Sequence, residues 1–156
     1  MKKIVIILDG KNEGKNVFDE TIKAEGYWCW NVNPLNLLTF LSHKLGWDKQ
    51  RNRKYRDFLE EFRELANRSL NFEENYVATK MEKLEESEKA NVIVLHSLSD
   101  EIKQKVAQKD NCYSVFISDT DDKQENYHVT LNYTSDTFVD DIKKTMKIMA
   151  KEEGEE

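Results

Sequence analysis

The sequence predicts an α/β fold in three layers, with helices on both faces of a five-stranded, mainly parallel sheet. Three observations carry that expectation. Short β-branched and apolar runs recur along the chain, and most are followed by a stretch with helical spacing. Two of the runs, Ile4-Val5-Ile6-Ile7-Leu8 and, after Asn91, Val92-Ile93-Val94-Leu95, are apolar without alternation, as suits strands covered on both faces. Strands that alternate with helices are joined by crossovers, and crossovers make a sheet parallel.

Length and composition suit one domain. The chain has 156 residues, enough for a substantial core; residues 1–150 are read as that domain and 151–156 as an acidic, flexible tail. A net charge of −6 argues against a general nucleic-acid or membrane-surface binder. No apolar run approaches the roughly 20 residues of a membrane span. Lys2-Lys3 and the five residues after it are too short for a secretory signal. Cys29 and Cys112 lie far apart, each within an expected strand, which reads as two reduced thiols in a cytoplasmic protein.

Taken in order, the first strand stops at Asp9-Gly10, and Gly10 to Asn16 is expected to form a Gly/Lys/Asn loop. Val17, Phe18, Thr21 and Ile22 then recur at helical spacing, and Gly26 is a natural stop. Residues 27–32 read as a second strand whose Trp28 and Trp30 share a face, expected to be core rather than a stacking platform. A helix over 35–45 has Leu37, Leu38, Leu41 and Leu45 on its apolar side, with Trp47-Asp48 as a corner. A helix over 49–67 carries a continuous stripe of Tyr55, Phe58, Leu59, Phe62, Leu65 and Ala66. Helical spacing returns over 72–89, before the strand at 91–95. Ser99-Asp100-Glu101 is expected to cap a helix to Lys109. Residues 112–117 and 128–133 are the last two strands, with a polar loop between them. Thr134-Ser135-Asp136 is expected to cap a final helix that buries Phe138, Val139, Ile142, Met146 and Met149.

Strand, glycine loop, helix is the setting in which a phosphate can be held by backbone amides, a helix N-terminus and a lysine. The usual pattern is Gly, four residues, Gly, Lys, then Ser or Thr. Here three residues separate Gly10 from Gly14-Lys15, Asp9 stands where the first glycine belongs, and Asn16 replaces the Mg²⁺-binding hydroxyl. Lys15 is kept as a point charge, while an inward Glu13 would repel phosphate. All five arginines, Arg51, Arg53, Arg56, Arg63 and Arg68, fall in one stretch. They read either as a cluster for a substrate phosphate or as a solvated face paired with Glu60, Glu61 and Glu64.

These segments resemble phage-type deoxynucleoside monophosphate kinases and related small nucleotide kinases of the P-loop fold. The resemblance rests on Gly10-Lys11-Asn12-Glu13-Gly14-Lys15-Asn16, on Leu45-Gly46-Trp47-Asp48-Lys49 through Arg53-Lys54-Tyr55-Arg56-Asp57-Phe58-Leu59, and on Tyr127-His128-Val129-Thr130-Leu131-Asn132-Tyr133. It implies a nucleotide at Gly10, Lys11, Asn12, Glu13, Gly14, Lys15 and Asn16, with Lys15 as the catalytic residue and Arg53 and Arg56 on the acceptor phosphate. ATP and Mg²⁺ are the implied cofactors. The chain departs from the family at Leu95 and Ser97, where Asp and Arg would fall, and it has no arginine after Arg68. Lys103, Lys105, Lys123 or the arginines 51–56 would have to compensate, and lysine lacks the forked geometry.

No other chemistry stands out. His43, His96 and His128 are scattered, and with the two cysteines they have no zinc spacing, so no metal site is expected. His96 is placed to approach the loop, or to be a satisfied structural histidine. Asp119, Asp121 and Asp122 read as a solvated turn. Two functions follow: ATP-dependent phosphoryl transfer to a (deoxy)nucleoside monophosphate, or a phage-encoded pseudo-kinase kept as a nucleotide-binding or protein-interaction module. Nucleotide is the expected partner, and oligomeric state, a dimer included, is left open.

Overall fold

The computed structural model describes residues 2–47 and 52–151. Five strands form one all-parallel sheet: β1 (Ile4–Gly10), β2 (Cys29–Val32), β3 (Val92–Leu95), β4 (Cys112–Ser118) and β5 (Val129–Asn132). Their order is β2-β3-β1-β4-β5, so β1 is central. Ile6 is in register with Val94 on one side and Tyr113 on the other. The unalternating runs are explained by this position. Residues 4–9 of β1 and all of β3 are buried.

Six helices flank the sheet: α1 (Asn12–Ala24), α2 (Pro34–Lys44), α3 (Arg53–Leu70), α4 (Phe72–Glu86), α5 (Asp100–Ala107) and α6 (Phe138–Ala150). Successive side chains of β1 face opposite ways. Ile4, Ile6 and Leu8 pack with Phe18 and Ile22 of α1 and with Phe138, Ile142, Met146 and Met149 of α6. Val5 and Ile7 pack with Val77 and Leu84 of α4 and with Ile102 and Val106 of α5. The chain thus moves outward from β1 to β2 along one face and returns along the other. Opposite directions on opposite faces keep the crossovers the same hand.

Several expectations are corrected. The stretch read as a loop is helical from Asn12, so Lys11 alone separates β1 from α1. Trp28 is 56% exposed rather than core, with Lys89 Nζ 5.8 Å from its ring centre; β2 is an edge strand and Trp28 precedes it. Of the leucines expected inside α2 only Leu38 is buried, because α2 packs on α3 and α4 and not on the sheet. The same outer position leaves Phe58 and Leu65 of α3 exposed, while Tyr55 and Ala66 are buried. Val139 of α6 is exposed as well. The expected corner at Asp48, the helix start at Lys49 and Arg51 lie outside the described residues, as does the tail from residue 152.

The caps also differ. Asn33 and Asn52 cap α2 and α3 by accepting from Leu35 N (3.0 Å) and Tyr55 N (2.9 Å). Ser99 stands at the N-cap of α5 but turns its hydroxyl to Glu73 instead. Thr137, not the triplet before it, stands at the N-cap of α6; its hydroxyl caps no backbone amide and donates to Asp141 Oδ2 at 2.9 Å. No described helix is long and apolar enough to cross a membrane.

Candidate functional site

β1 and β3 are neighbours, yet the chain leaves β1 for α1 on one face and β3 for α5 on the other. Beyond the carboxyl ends of two such strands a crevice must open, and this is where parallel sheets bind ligands. Here it is a polar cavity of about 560 Å³. Asn12, Lys15, Asn16 and Asp19 line it from one face of α1; Asn31, Asn33 and Asn36 come from β2 and the start of α2, and His96 and Ser97 follow β3.

The expected nucleotide-binding residues divide. Asn12, Lys15 and Asn16 are three and four residues apart, hence on one side of the helix and in the cavity. Lys11 points the other way, its Nζ 3.9 Å from Asp119 Oδ2, and Glu13 lies beside Tyr133, raising that phenol's pKa. Glu13 is therefore not turned inward. Gly10 and Gly14 serve packing. A β-carbon on Gly10, whose φ is +106°, would stand 2.0 Å from the Ile117 carbonyl oxygen. One on Gly14 would stand 2.2 Å from Ile117 Cγ2 and 2.8 Å from Tyr133 Cβ. The Lys15 amide donates to the Lys11 carbonyl at 3.0 Å, in helical fashion. The segment thus offers an anion a helix N-terminus and a lysine, with no loop to wrap a chain of phosphates.

Lys15 is the chemically distinctive group. Its ammonium is half-buried and makes no hydrogen bond or ion pair among the described residues. Burial lowers its pKa most, Asp9 opposes this, and Lys103 lowers it further. Asp9, at the end of β1, is already engaged: Lys103 Nζ of α5 lies 2.8 Å from its Oδ2, and the Tyr127 hydroxyl donates to the same oxygen at 2.6 Å.

Across the cavity, Asp19 holds Asn31, and Asn31 holds His96. Asn31 Nδ2 donates to Asp19 Oδ1 at 3.0 Å, and His96 Nε2 lies 3.0 Å from Asn31 Oδ1. Burial pushes the Asp19 carboxyl up, but hydrogen bonds from Lys23 and Asn31 outweigh it and leave the pKa lowered. His96 is lowered too, by burial first and by Lys15 second, against Asp19 and Asp9.

Arg53 and Arg56 are exposed near the start of α3 and line no part of this cavity. The neighbouring Lys54 and Tyr55 line a separate, largely apolar cavity of about 460 Å³ between α2 and α3. At the family's departure points, Leu95 is fully buried, while Ser97 lines the cavity with φ +58° and its carbonyl accepts from Arg63. Of the residues now in view, sequence spacing carries Lys15, Asn12 and Asn16 and hints at His96. Asp19 shares that helix face by the same spacing, whereas Asn31, Lys103 and Tyr127 leave no local signal, since only the strand order brings them in.

Mg²⁺ does not fit this donor set. The one buried carboxylate at the strand ends, Asp9, already pairs with an ammonium, and Asn16 offers a carboxamide in place of a hydroxyl. No group of three or more His, Cys, Asp or Glu among the described residues is arranged to hold a metal. The chain matches no protein-family model and no curated protein.

Proposed function

We propose that this chain is a P-loop-kinase-like protein retained as a binding module for a phosphate-bearing small molecule, with a nucleotide as the first ligand to test. The observation that carries this reading is Lys15, half-buried in a polar cavity at the strand ends, whose ammonium makes no ion pair among the described residues. A partly desolvated, unpaired cation gains from an anion. The first amides of α1 add their partial positive charge at the same end.

Phosphoryl transfer of the ATP γ-phosphate to a (deoxy)nucleoside monophosphate is the less supported version. Transfer depends on positioning and on positive charge around the moving group. Here the Lys15 amide is committed to its helix, both glycines are packed against β4 and Tyr133, and Arg53 and Arg56 lie elsewhere. A cytoplasmic setting is part of the proposal and is supported by the two free cysteines.

Calorimetric titration with ATP, with a deoxynucleoside monophosphate and with inorganic phosphate tests it, each with and without Mg²⁺ and alongside Lys15→Ala. Saturable binding that is independent of Mg²⁺ and lost in Lys15→Ala is expected, with no ADP formed on adding an acceptor. Acceptor-dependent ADP formation would restore the kinase reading. Absence of binding by all three ligands would overturn the phosphate site itself.

A further inference from the structure

Asp19, Asn31 and His96 come from α1, from β2 and from the turn after β3, and they form one directed chain of hydrogen bonds. Its direction is forced. Asp19 also accepts from Lys23 Nζ at 2.9 Å, and an ionised carboxylate only accepts. The Asn31 group facing it is therefore the NH₂, and the Asn31 carbonyl oxygen faces His96. A carbonyl likewise only accepts, so His96 Nε2 must carry a hydrogen. Proton exchange on the ring is confined to Nδ1, which no group among the described residues bonds. The imidazole lines the same cavity as Lys15.

We infer that His96 is a specificity-determining residue of this cavity: Nδ1 accepts a hydrogen bond from a hydroxyl near the ligand's phosphate, so hydroxylated phosphate esters bind in preference to otherwise matched esters without the hydroxyl. The inference rests on the proposed phosphate site for the anion and adds the group beside it. The charged groups around the ring are Lys15 and Asp19 from α1 and Asp9 from β1, with Lys103 of α5 paired to Asp9 at 2.8 Å. Burial and Lys15 together keep the ring neutral at neutral pH, which leaves the Nδ1 lone pair free to accept. Acidification has two consequences of opposite kind. A proton on Nδ1 removes the acceptor, and it adds a positive charge near Lys15. Hydroxyl preference should therefore vanish once the ring is protonated. Each ester takes up its own second proton at about pH 6, so the two are compared with each other at each pH.

The test is an NMR titration with glycerol 3-phosphate and with propyl phosphate, which keeps the phosphate and lacks the hydroxyls. It is run near pH 8 and again below the titration of the His96 ring itself, which lies under the ordinary value of about 6.5 and is followed by the ring's own NMR signals. Near pH 8 glycerol 3-phosphate is expected to bind roughly two- to tenfold more tightly, the range of one neutral hydrogen bond. The ratio is expected to fall to about one once the ring is protonated, and to be about one at both pH values in His96→Phe. In wild type, the long-range ¹H–¹⁵N spectrum of the histidine rings should show His96 protonated on Nε2. Equal affinities for the two esters near pH 8 would overturn the role of His96 while leaving the phosphate site intact. An Nδ1–H tautomer would overturn it without recourse to any variant. If neither ester binds, the phosphate site fails and this inference fails with it.

Discussion

Arg63 of α3 and Glu73 of α4 form a buried ion pair, with Arg63 Nη2 at 2.7 Å from Glu73 Oε1 and only 1% of the Glu73 side chain exposed. The same guanidinium donates to the Ser97 carbonyl, while Ser99 and Asn67 donate to the Glu73 carboxylate. The outer helix α3 and the sheet-packed α4 are thereby tied to the turn that follows β3, and that turn carries His96 and Ser97 into the cavity. This link supplies what the apolar contacts of α3 do not, since Phe58 and Leu65 face outward.

Removing the carboxylate charge should be costly, because it leaves Arg63 buried without its partner. Glu73→Gln is expected to lose about 3 kcal/mol of stability by urea unfolding. Burial pushes the Glu73 carboxyl up, but Arg63, Ser99 and Asn67 together bring it below its ordinary 4.5. The pair's contribution is therefore complete above pH 4.5 and is lost as pH falls through the lowered value. The gap between wild type and Glu73→Gln should be full at neutral pH and close in acid. A gap that is constant with pH would refute this account.

Gly14→Ala separates a packing glycine from a phosphate-loop glycine. Alanine favours a helix interior by about 1 kcal/mol over glycine. Against that, the new methyl would stand 2.2 Å from Ile117 Cγ2, and overpacking of this kind costs roughly 1–3 kcal/mol. A net loss of up to about 2 kcal/mol is expected. Part of it should be recovered in an Ile117→Ala background, where that Cγ2 is gone, as a double-mutant cycle would show.

Tyr127 supplies a charge-assisted bond to Asp9, and Tyr127→Phe should cost roughly 1.5–3 kcal/mol at neutral pH. Burial first, and the bond to Asp9 second, hold the Tyr127 phenol well above its ordinary 10.0. A raised folded-state value contributes stability that is present below pH 10.0 and is lost as pH rises further. The stability difference between wild type and Tyr127→Phe should therefore narrow in strong alkali, measurable as converging melting temperatures.

Tyr55→Phe should go the other way. Tyr55 stacks on Trp47 with ring centres 3.8 Å apart and planes 7° from parallel, and its hydroxyl is buried without a hydrogen-bond partner among the described residues. Phenylalanine keeps the stack and removes the unsatisfied group. Stability is expected to rise by up to about 1 kcal/mol in urea unfolding. A loss of similar size would mean that the hydroxyl is solvated in solution.

The candidate site was legible only in part. Lys15, Asn12 and Asn16 stand on one helix face by spacing alone, and that spacing is written in the chain. The roles of Gly10 and Gly14 were not legible, because a missing β-carbon suits an approaching phosphate and an approaching Ile117 equally well in sequence. The arginine cluster, open in sequence to a phosphate-binding or a solvated reading, shows the same limit. Composition shows where guanidinium groups are dense, but Arg53 and Arg56 turn out exposed on an outer helix, and Arg63 is consumed by Glu73. Nothing local announces that Tyr127, 118 residues after Asp9, closes over it.

By itself the sequence determined the layers and the direction of most strands. Apolar runs at 4–8 and 92–95, short and β-branched, suit strands covered on both faces, and alternation with helices favours parallel neighbours. β5 follows β4 through a loop, so its direction was settled by the sheet. Only the tertiary structure decided the order β2-β3-β1-β4-β5, and with it which ends meet at one crevice. The reason is physical. Burial periodicity is a property of neighbours along the chain, whereas the surroundings of Lys15 and His96 are set by which strands pair across the sheet.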